Sequence, residues 1–476
     1  MKGLKYSFLF ITLLFQTGVI WGQSSVSEVP EHKSDTSIVR YWKDGINVVY
    51  THNSDGENWF LLVDSAVTQV LRIAVPTEMT VNDFRILNDS VFFGGHYVDT
   101  SGNQRGLLAF FDILDFYTGS GSYNYMTMLP TPMPDCYLDL GYTVYATNQV
   151  SDVIRLAVYD DVQEGPKIAY VAKNYIVGET VIRIGIGQAS YYLGSWNNRI
   201  IYNKYAEEEF TDIITTQNYV VAVARDNVNA HLAMRIFPKS SFITAVIEFG
   251  NFPNAFYYYN KFGQGLADLK VDEDVMSTAL EGDEFAVAYH YTGSPKDGLA
   301  VKTFGINSLG TASLLQSLTV PIVRQPGSKW KMRDVCYSQS KQCIMVLNDC
   351  DGGTVGNLTS IVYQFSLVNL ATGITSYTGR YIAGYDLHAM DPFGAAGDTF
   401  VASGNVSGGG FLSLYWEYLN SETRCGLIDA ISGVHTSTTL YETYMQTNIN
   451  SPIPEPHFEY YNVEDLERDV ICNRVP

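Results

Sequence analysis

Six aspartates recur at comparable places along the chain, and most are followed directly by an apolar residue. They are Asp83, Asp135, Asp212, Asp274, Asp334 and Asp391. Carboxylates gathered at one place repel one another, which raises some of their pKa values or recruits a cation. Calcium is the candidate cofactor, because it prefers carboxylate oxygens. The alternative is structural: each Asp caps backbone N–H groups of a neighbouring connection, once per repeat.

A second group of side chains falls in predicted hairpins. His52, His96 and His290 occupy matching positions in three of them, and Trp196 lies near the equivalent place in a fourth. Imidazole and aromatic groups beside carboxylates could form a platform for a small ligand or a glycan. The alternative is that these histidines are ordinary solvated loop residues.

The elements that would position these residues are short strands. One phrase recurs eight times: an Asp-led strand, a turn, a β-branched or aromatic strand, a polar hairpin and a third apolar strand. The clearest copy is Val81–Ile113. The second strands centre on Val49, Phe93, Tyr145, Tyr192, Val221, Val287, Met345 and Val401. Repeats of this size are typical of propellers, in which each unit buries its faces only against its neighbours.

The repeat predicts an all-β chain folded as a β-propeller of eight blades, with seven as the alternative. The fourth unit is irregular, because only Ala206–Glu209 separates its third strand from the next first strand. In a propeller the first strand is innermost, so the aspartates are expected to ring one mouth of the central channel. The hairpins that carry the histidines should emerge on the same face. Residues 457–476 are expected to close the ring onto the N-terminus.

The N-terminal residues predict export. Lys2 and Lys5 precede the apolar stretch Phe8–Ile20, which is too short to span a bilayer comfortably. We therefore expect a signal peptide over residues 1–22, a polar linker over 23–37 and one propeller domain over 38–476. The mature chain is expected to be a monomer without a transmembrane segment, located in the periplasm, on the outer surface or in the medium.

The net charge and the absence of two sequence motifs argue against some functions. The formal net charge of −20 argues against nucleic-acid binding, which requires a basic surface. Neither a nucleophile-elbow motif nor a nucleotide-binding glycine motif is present.

Of the six cysteines, Cys336 and Cys343 flank a predicted hairpin turn and form the preferred disulfide candidate. The pairing of the other four stays open.

The phrase VNDFRILNDSVFFGGHY…GLLAFFDI resembles blades of uncharacterised secreted β-propeller proteins of Bacteroidales-type bacteria. The resemblance is closest at Asp83, Phe92, Phe93, the glycine pair Gly94-Gly95 and Gly106. It implies a propeller architecture and carries no activity that could be transferred to this chain.

We therefore expect a non-catalytic, exported propeller that recognises a glycan or protein partner on the channel-mouth face. The first alternative is a polysaccharide hydrolase or lyase that uses carboxylates at the channel mouth. The second is a structural component of the cell surface. The fold alone cannot choose among them, since propellers serve all these roles.

Overall fold

The computed structural model describes residues 25–473 with gaps. Shorter gaps interrupt several hairpins, and the longer ones cover residues 114–137, 140–149, 240–254, 263–269, 322–329, 351–357, 368–374, 418–426, 436–441 and 449–462. The predicted signal peptide, residues 1–22, lies outside the described part of the chain.

Thirty-two strands make up the described fold. The first sixteen are β1 (Ser25–Lys33), β2 (Thr36–Lys43), β3 (Ile46–His52), β4 (Asn58–Asp64), β5 (Gln69–Val75), β6 (Met79–Leu87), β7 (Ser90–Val98), β8 (Gln104–Asp112), β9 (Leu138–Asp139), β10 (Val150–Asp161), β11 (Gly165–Ile176), β12 (Glu179–Ser190), β13 (Ser195–Tyr205), β14 (Glu208–Thr215), β15 (Tyr219–Asp226) and β16 (His231–Pro238). The others are β17 (Ala255–Phe262), β18 (Lys270–Ala279), β19 (Glu284–Thr292), β20 (Gly298–Ile306), β21 (Ala312–Pro321), β22 (Trp330–Ser338), β23 (Cys343–Cys350), β24 (Leu358–Ser366), β25 (Thr375–Ala383), β26 (Tyr385–Phe393), β27 (Thr399–Val406), β28 (Gly410–Glu417), β29 (Leu427–His435), β30 (Glu442–Asn448), β31 (Val463–Glu467) and β32 (Asp469–Asn473).

These strands form seven small antiparallel sheets, which we call blades 1 to 7 in chain order. Their strand orders are β2-β3-β4-β5-β31, β6-β7-β8-β9, β10-β11-β12-β13, β14-β15-β16-β17-β30, β18-β19-β20-β21, β22-β23-β24-β25-β29 and β26-β27-β28-β1-β32. The predicted propeller architecture is therefore confirmed. The described sheets number seven rather than the preferred eight. Strand β10, predicted as the third strand of one repeat, is instead the first strand of the sheet that includes the next repeat.

The two ends of the described chain meet in blade 7. Strand β1 pairs with β28 on one side and with β32 on the other. Residues 25–33 are thus a strand, and the predicted polar linker over residues 23–37 is wrong for them. Their polar composition masked a strand whose backbone N–H and C=O groups are satisfied by the last blade. The C-terminal residues also contribute β31 to blade 1, as the expected ring closure requires.

The core lies between the blades, because both faces of each sheet are covered by neighbouring sheets. Between blades 1 and 2, the ring centroid of Phe60 lies 5.6 Å from that of Phe84 and 5.1 Å from that of Phe111. These aromatic side chains are at most 1% exposed. This arrangement explains why the second and third strands are apolar along nearly their whole length.

A β-bulge recurs in the first strands and aims side chains at the centre. In blades 2, 3, 4, 6 and 7 the pairing register of the first strand shifts by one residue near its middle. Such a bulge bends the strand and redirects the side chains that follow it. In blade 2 the residue after the bulge is Asp83, and in blade 6 it is Asp334.

Two glycines make room for these bulges. A Cβ atom built on Gly95 would lie 1.9 Å from the carbonyl oxygen of Thr80, and one built on Gly404 would lie 2.0 Å from that of Asp386. Both glycines pair with the residue that precedes the bulge. The glycine in the second strand is therefore a steric requirement of the bulge in the first.

Candidate functional site

The innermost strands enclose a central channel with a cavity of about 770 Å³. The first strands of all seven blades line it, together with Tyr50 and His52 from β3. We call the end at which the first strands begin the upper mouth; Thr36, His52, Thr80 and Lys331 lie there. The channel is the site at which residues distant in the sequence come together.

The described aspartates lie inside this channel rather than at the opening of their strands. Asp83, Asp212 and Asp334 each occupy the middle of a first strand, and Asp391 lies closer to the end of β26. All four line the cavity. The expected ring at a mouth is therefore displaced into the channel. The residue after the bulge (Asp83, Asp212 or Asp334), or the residue two positions further on (Asp391), points inward, and the first residue of the strand does not.

Each of the four carboxylates joins two blades. Asp83 accepts the backbone N–H of Leu156 at 3.1 Å, and Asp212 accepts that of Ser277 at 2.6 Å. Asp334 accepts the N–H of Met390 at 3.1 Å, and Asp391 accepts that of Tyr41 at 2.7 Å. In every case the donor lies on the first strand of the following blade. These contacts fit the structural alternative, in which each repeated Asp binds backbone N–H groups of a neighbouring part of the fold.

Three arginines complete what we call the Asp–Arg belt: Asp83, Asp212, Asp334, Asp391, Arg40, Arg85 and Arg155. Arg40 of blade 1 lies 3.4 Å from the carboxylate of Asp83 in blade 2 and 3.2 Å from that of Asp334 in blade 6. Its side chain therefore links carboxylates of two blades that are not neighbours. Arg85 lies 3.1 Å from Asp83, and Arg155 lies 3.9 Å from Asp212.

Burial and neighbouring charges shift the pKa values of Asp391, Asp212 and Arg40. Burial raises the pKa of Asp391 to about 6, although Arg40 and the Tyr41 N–H oppose the shift. Burial also raises the pKa of Asp212, against the attraction of Arg155 and Arg85. For Arg40, burial acts to lower the pKa, but the charges of Asp334, Asp83 and Asp391 outweigh it and the pKa is raised. Arg40 is therefore a permanent cation among carboxylates.

The three predicted histidines have different surroundings. His52 lines the cavity at the upper mouth, where its Nδ1 atom lies 2.5 Å from Asn58 Oδ1. His96 lies 3.0 Å from Asp152 of blade 3. His290 is 2% exposed, and its Nε2 atom lies 2.8 Å from Asn348 Oδ1 of blade 6. His52 alone of the three lines the channel, since the other two contact neighbouring blades.

The structure does not describe the side chains of three predicted site residues. Asp135 lies outside the described residues, and so does its expected first strand. The backbone of Asp274 belongs to β18 and that of Trp196 to β13, but their side chains lie outside what the structure describes.

Sequence reasoning missed a second cluster, at the upper mouth. Ser37 Oγ lies 3.3 Å from His388 Nδ1, and His388 Nε2 lies 3.4 Å from Asp386 Oδ2. Ser37 comes from β2 of blade 1, whereas His388 is the bulged residue of β26 in blade 7. Burial acts to raise the pKa of Asp386, but the hydrogen bond and charge of His388 outweigh it and the pKa is lowered. Because 351 residues separate Ser37 from His388, no local motif could reveal the contact.

The cysteine prediction is wrong for the described pair. Cys336 and Cys343 are both buried, and no disulfide joins them. Cys336 pairs with Met345, whereas Cys343 pairs with Ser338, so the two cysteines are diagonal neighbours across the hairpin. Diagonal positions lie about 7–8 Å apart, beyond the usual reach of a disulfide. Burial raises the pKa of Cys336 well above its ordinary value, and the charges of Asp391 and Asp334 add to this effect.

The described residues contain neither a metal-binding cluster nor a membrane-spanning helix. No group of three or more His, Cys, Asp or Glu side chains is arranged to hold a metal ion in this part of the chain. No helix within the described ranges is long and apolar enough to cross a membrane.

The seven small sheets around a lined channel define the chain as a β-propeller. Comparison with solved structures returns propellers at low similarity. The Nup133 β-propeller domain of Vanderwaltozyma polyspora gives a TM-score of 0.41 at 7% identity, covering 83% of this chain and 98% of that one. The WD40 domain of SCAP from fission yeast gives 0.38 at 8% identity, with the same coverage.

A mutant of Aleuria aurantia lectin in complex with alpha-methyl-L-fucoside gives a TM-score of 0.35 at 8% identity, covering 85% of this chain and 96% of that one. No protein-family model and no curated protein matches the chain. Similarity at this level concerns the fold only, and function must be argued from the channel itself.

Proposed function

We propose that this chain is an exported β-propeller that binds a glycan at the upper mouth of its channel. The single observation that carries the proposal is the cavity of about 770 Å³, whose upper mouth is lined by Thr36, His52, Thr80 and Lys331. Hydroxyl, imidazole and ammonium groups around a concave site supply directional hydrogen bonds to sugar hydroxyls. A concave site favours a small ligand or a chain end over a flat protein surface.

The charge of the lining supports one class of glycan over another. Four arginines and one lysine line the cavity against four aspartates: Arg40, Arg85, Arg155, Arg333, Lys331, Asp83, Asp212, Asp334 and Asp391. The lining therefore has a formal charge of +1 in a chain whose net charge is −20. Such a local reversal of charge favours acidic or neutral sugars over basic sugars and over calcium.

The Asp–Arg belt is better suited to holding the blades together than to catalysis. Each described carboxylate of the belt already accepts a backbone N–H from the next blade, and Asp83 and Asp334 also contact Arg40. A glycosidase needs one carboxyl group free to give a proton to the leaving oxygen and another free to attack or to activate water. The hydrolase alternative therefore has less support than binding.

A glycan array tests the proposal. The protein without residues 1–22 is applied to neutral, acidic and basic glycans and compared with His52→Ala and Lys331→Ala. Both substitutions should weaken binding about tenfold or more, and Lys331→Ala should act most on acidic glycans, because it removes a cation. His231→Ala, which changes a histidine outside the cavity lining, is the matched control. Binding that survives both mouth substitutions contradicts the proposal.

Export forms part of the proposal and has its own measurement. Cleavage near Gly22 would leave β1, which begins at Ser25, intact to close the ring. Intact-mass analysis of protein from a secreting host should show an N-terminus near residue 23. A mature protein that retains residues 1–22, or that begins beyond Ser25, would contradict this expectation.

A further inference from the structure

The Ser37–His388–Asp386 cluster has the order of contacts that activates a serine nucleophile. The hydroxyl lies 3.3 Å from one imidazole nitrogen, and the carboxylate lies 3.4 Å from the other. In serine hydrolases the base removes the hydroxyl proton while the carboxylate holds the imidazole in the required tautomer. Contacts slightly longer than an ideal hydrogen bond are common when no substrate is bound.

The surroundings of the cluster fit this role. Asp386 lies on the Nε2 side of His388, so Nε2 carries the proton and the Nδ1 lone pair faces Ser37. Ser37 also donates to Ser403 Oγ at 2.9 Å. Because a hydroxyl hydrogen can rotate, the same group can turn its hydrogen to His388 when a substrate arrives.

The cluster opens onto the cavity. Ser37 and His388 both belong to its lining, although they are only 3% and 7% exposed. A carbonyl that reaches Ser37 must therefore belong to a small acyl group, while the rest of the molecule stays in the mouth. The cations Lys331 and Arg333 line the same cavity and favour the negative charge that develops on an attacked carbonyl oxygen.

We propose that Ser37, His388 and Asp386 form a catalytic site that hydrolyses a small acyl ester, with acetyl esters of glycans as the substrate class. The substrate class rests on the proposed glycan binding; the nucleophile assignment does not. The Ser37 Oγ–H attacks the ester carbonyl and transfers its proton to His388. The acyl C–O bond then breaks, and the released alcohol takes that proton. Water, losing its proton to His388, next attacks the acyl-serine; the carboxylic acid leaves, and Ser37 regains its proton.

Two assays test the nucleophile, with and without a sugar. Acetate release from an O-acetylated xylan and hydrolysis of 4-nitrophenyl acetate are measured for the protein and for Ser37→Ala, His388→Gln and Asp386→Asn. Ser37→Ala should lower both rates about 10³-fold or more. Asp386→Asn should lower them at least about tenfold, since the amide no longer fixes the imidazole tautomer. The matched control is Ser54→Ala, at an exposed serine outside the cavity lining.

Covalent labelling keeps the proposal testable if a variant folds poorly. A fluorophosphonate probe should add its mass to the peptide that contains Ser37 in the folded protein and in Ser54→Ala, but not in His388→Gln. A folded protein that releases no acetate and takes up no label, or rates unchanged by Ser37→Ala, would overturn the proposal. The cluster would then be a structural link between blades 7 and 1.

Failure of this proposal is distinguishable from failure of glycan binding. If hydrolysis of 4-nitrophenyl acetate depends on Ser37 but the array shows no binding, the assignment of Ser37 as the nucleophile stands and the glycan-binding proposal is overturned. If Ser37→Ala still binds glycans on the array and hydrolyses both esters at the rate of the parent protein, the glycan-binding proposal stands and the assignment of Ser37 as the nucleophile is overturned.

Discussion

Among the channel carboxylates, Asp391 couples stability to pH. Its pKa is about 6 in the folded protein, because burial outweighs the attraction of Arg40, whereas the ordinary value is 3.8. Between these values the folded state binds more protons than the unfolded state. The contribution of Asp391 to the free energy of unfolding therefore falls as the pH rises from about 4 to 6, and it stays low above that range.

The substitution Asp391→Asn should remove this pH-dependent loss. Relative to the parent protein, the variant should gain up to about 3 kcal/mol in the free energy of unfolding between pH 4 and pH 7. Denaturant unfolding across this pH range measures the difference. Asp55→Asn, in an exposed turn, should show no trend. An Asp391→Asn curve parallel to that of the parent would exclude the titration of Asp391 as a cause.

Asp83 should contribute more to stability than an exposed aspartate. It is 2% exposed, contacts Arg40 and Arg85, and accepts the Leu156 N–H. Its replacement by alanine leaves the half-buried Arg85 and the Leu156 N–H without their carboxylate and Arg40 with Asp334 alone, which costs about 3–5 kcal/mol. The midpoint of urea unfolding should drop accordingly, whereas Asp55→Ala should stay within about 0.5 kcal/mol. Equal effects of the two substitutions would contradict the structural role of the belt.

At the scale of elements, bulges in the first strands and glycines in the second strands depend on one another. Gly95→Ala would place Cβ 1.9 Å from the Thr80 carbonyl oxygen, so the bulge that aims Asp83 must shift. We expect a loss of at least about 2 kcal/mol in the free energy of unfolding. Differential scanning calorimetry measures it as a lower transition temperature.

Gly305→Ala is the matched control for this prediction. Its Cβ would meet only the side chain of Leu315, at 3.5 Å or more, so the change should be neutral or stabilise the fold by up to about 1 kcal/mol. A Gly95→Ala variant as stable as Gly305→Ala would show that the bulge can relax at little cost.

The same bulges decide which residues form the candidate sites. In blade 7 the bulged residue is His388, and the bulge brings it beside Ser37 of blade 1. The Asp repeat was visible in the sequence because the residue after the bulge is Asp in blades 2, 4 and 6. His388 was not visible, because it has no counterpart of the same type in the other repeats.

At the scale of the whole molecule, ring closure depends on both termini. Strand β1 lies between β28 and β32 in blade 7, and β31 covers the outer edge of blade 1. An open ring would expose strand edges and leave the inter-blade contacts of blade 7 with blade 1 unsupported.

Removal of residues 463–476 should therefore lower the thermal transition and promote aggregation, because it deletes β31 and β32. A chain ending at residue 473 retains both strands and should behave like the parent. Light scattering during heating measures both effects. A truncated protein with the transition temperature of the parent would show that the four remaining strands of blade 7 close the ring without help.

The sequence by itself determined the architecture, the recurrence of an inward-facing Asp and the apolar character of the second and third strands. All three are local properties, since each repeat must bury two faces and carry one bulge. The strand at residues 25–33 depended on pairing with distant segments. The blade count depended on which strands share a sheet, and the position of the aspartates inside the channel depended on the register shift of the first strands. The contact between Ser37 and His388 depends most clearly on the tertiary structure. They meet only because the ring brings the last blade against the first, and no spacing along the chain encodes that contact.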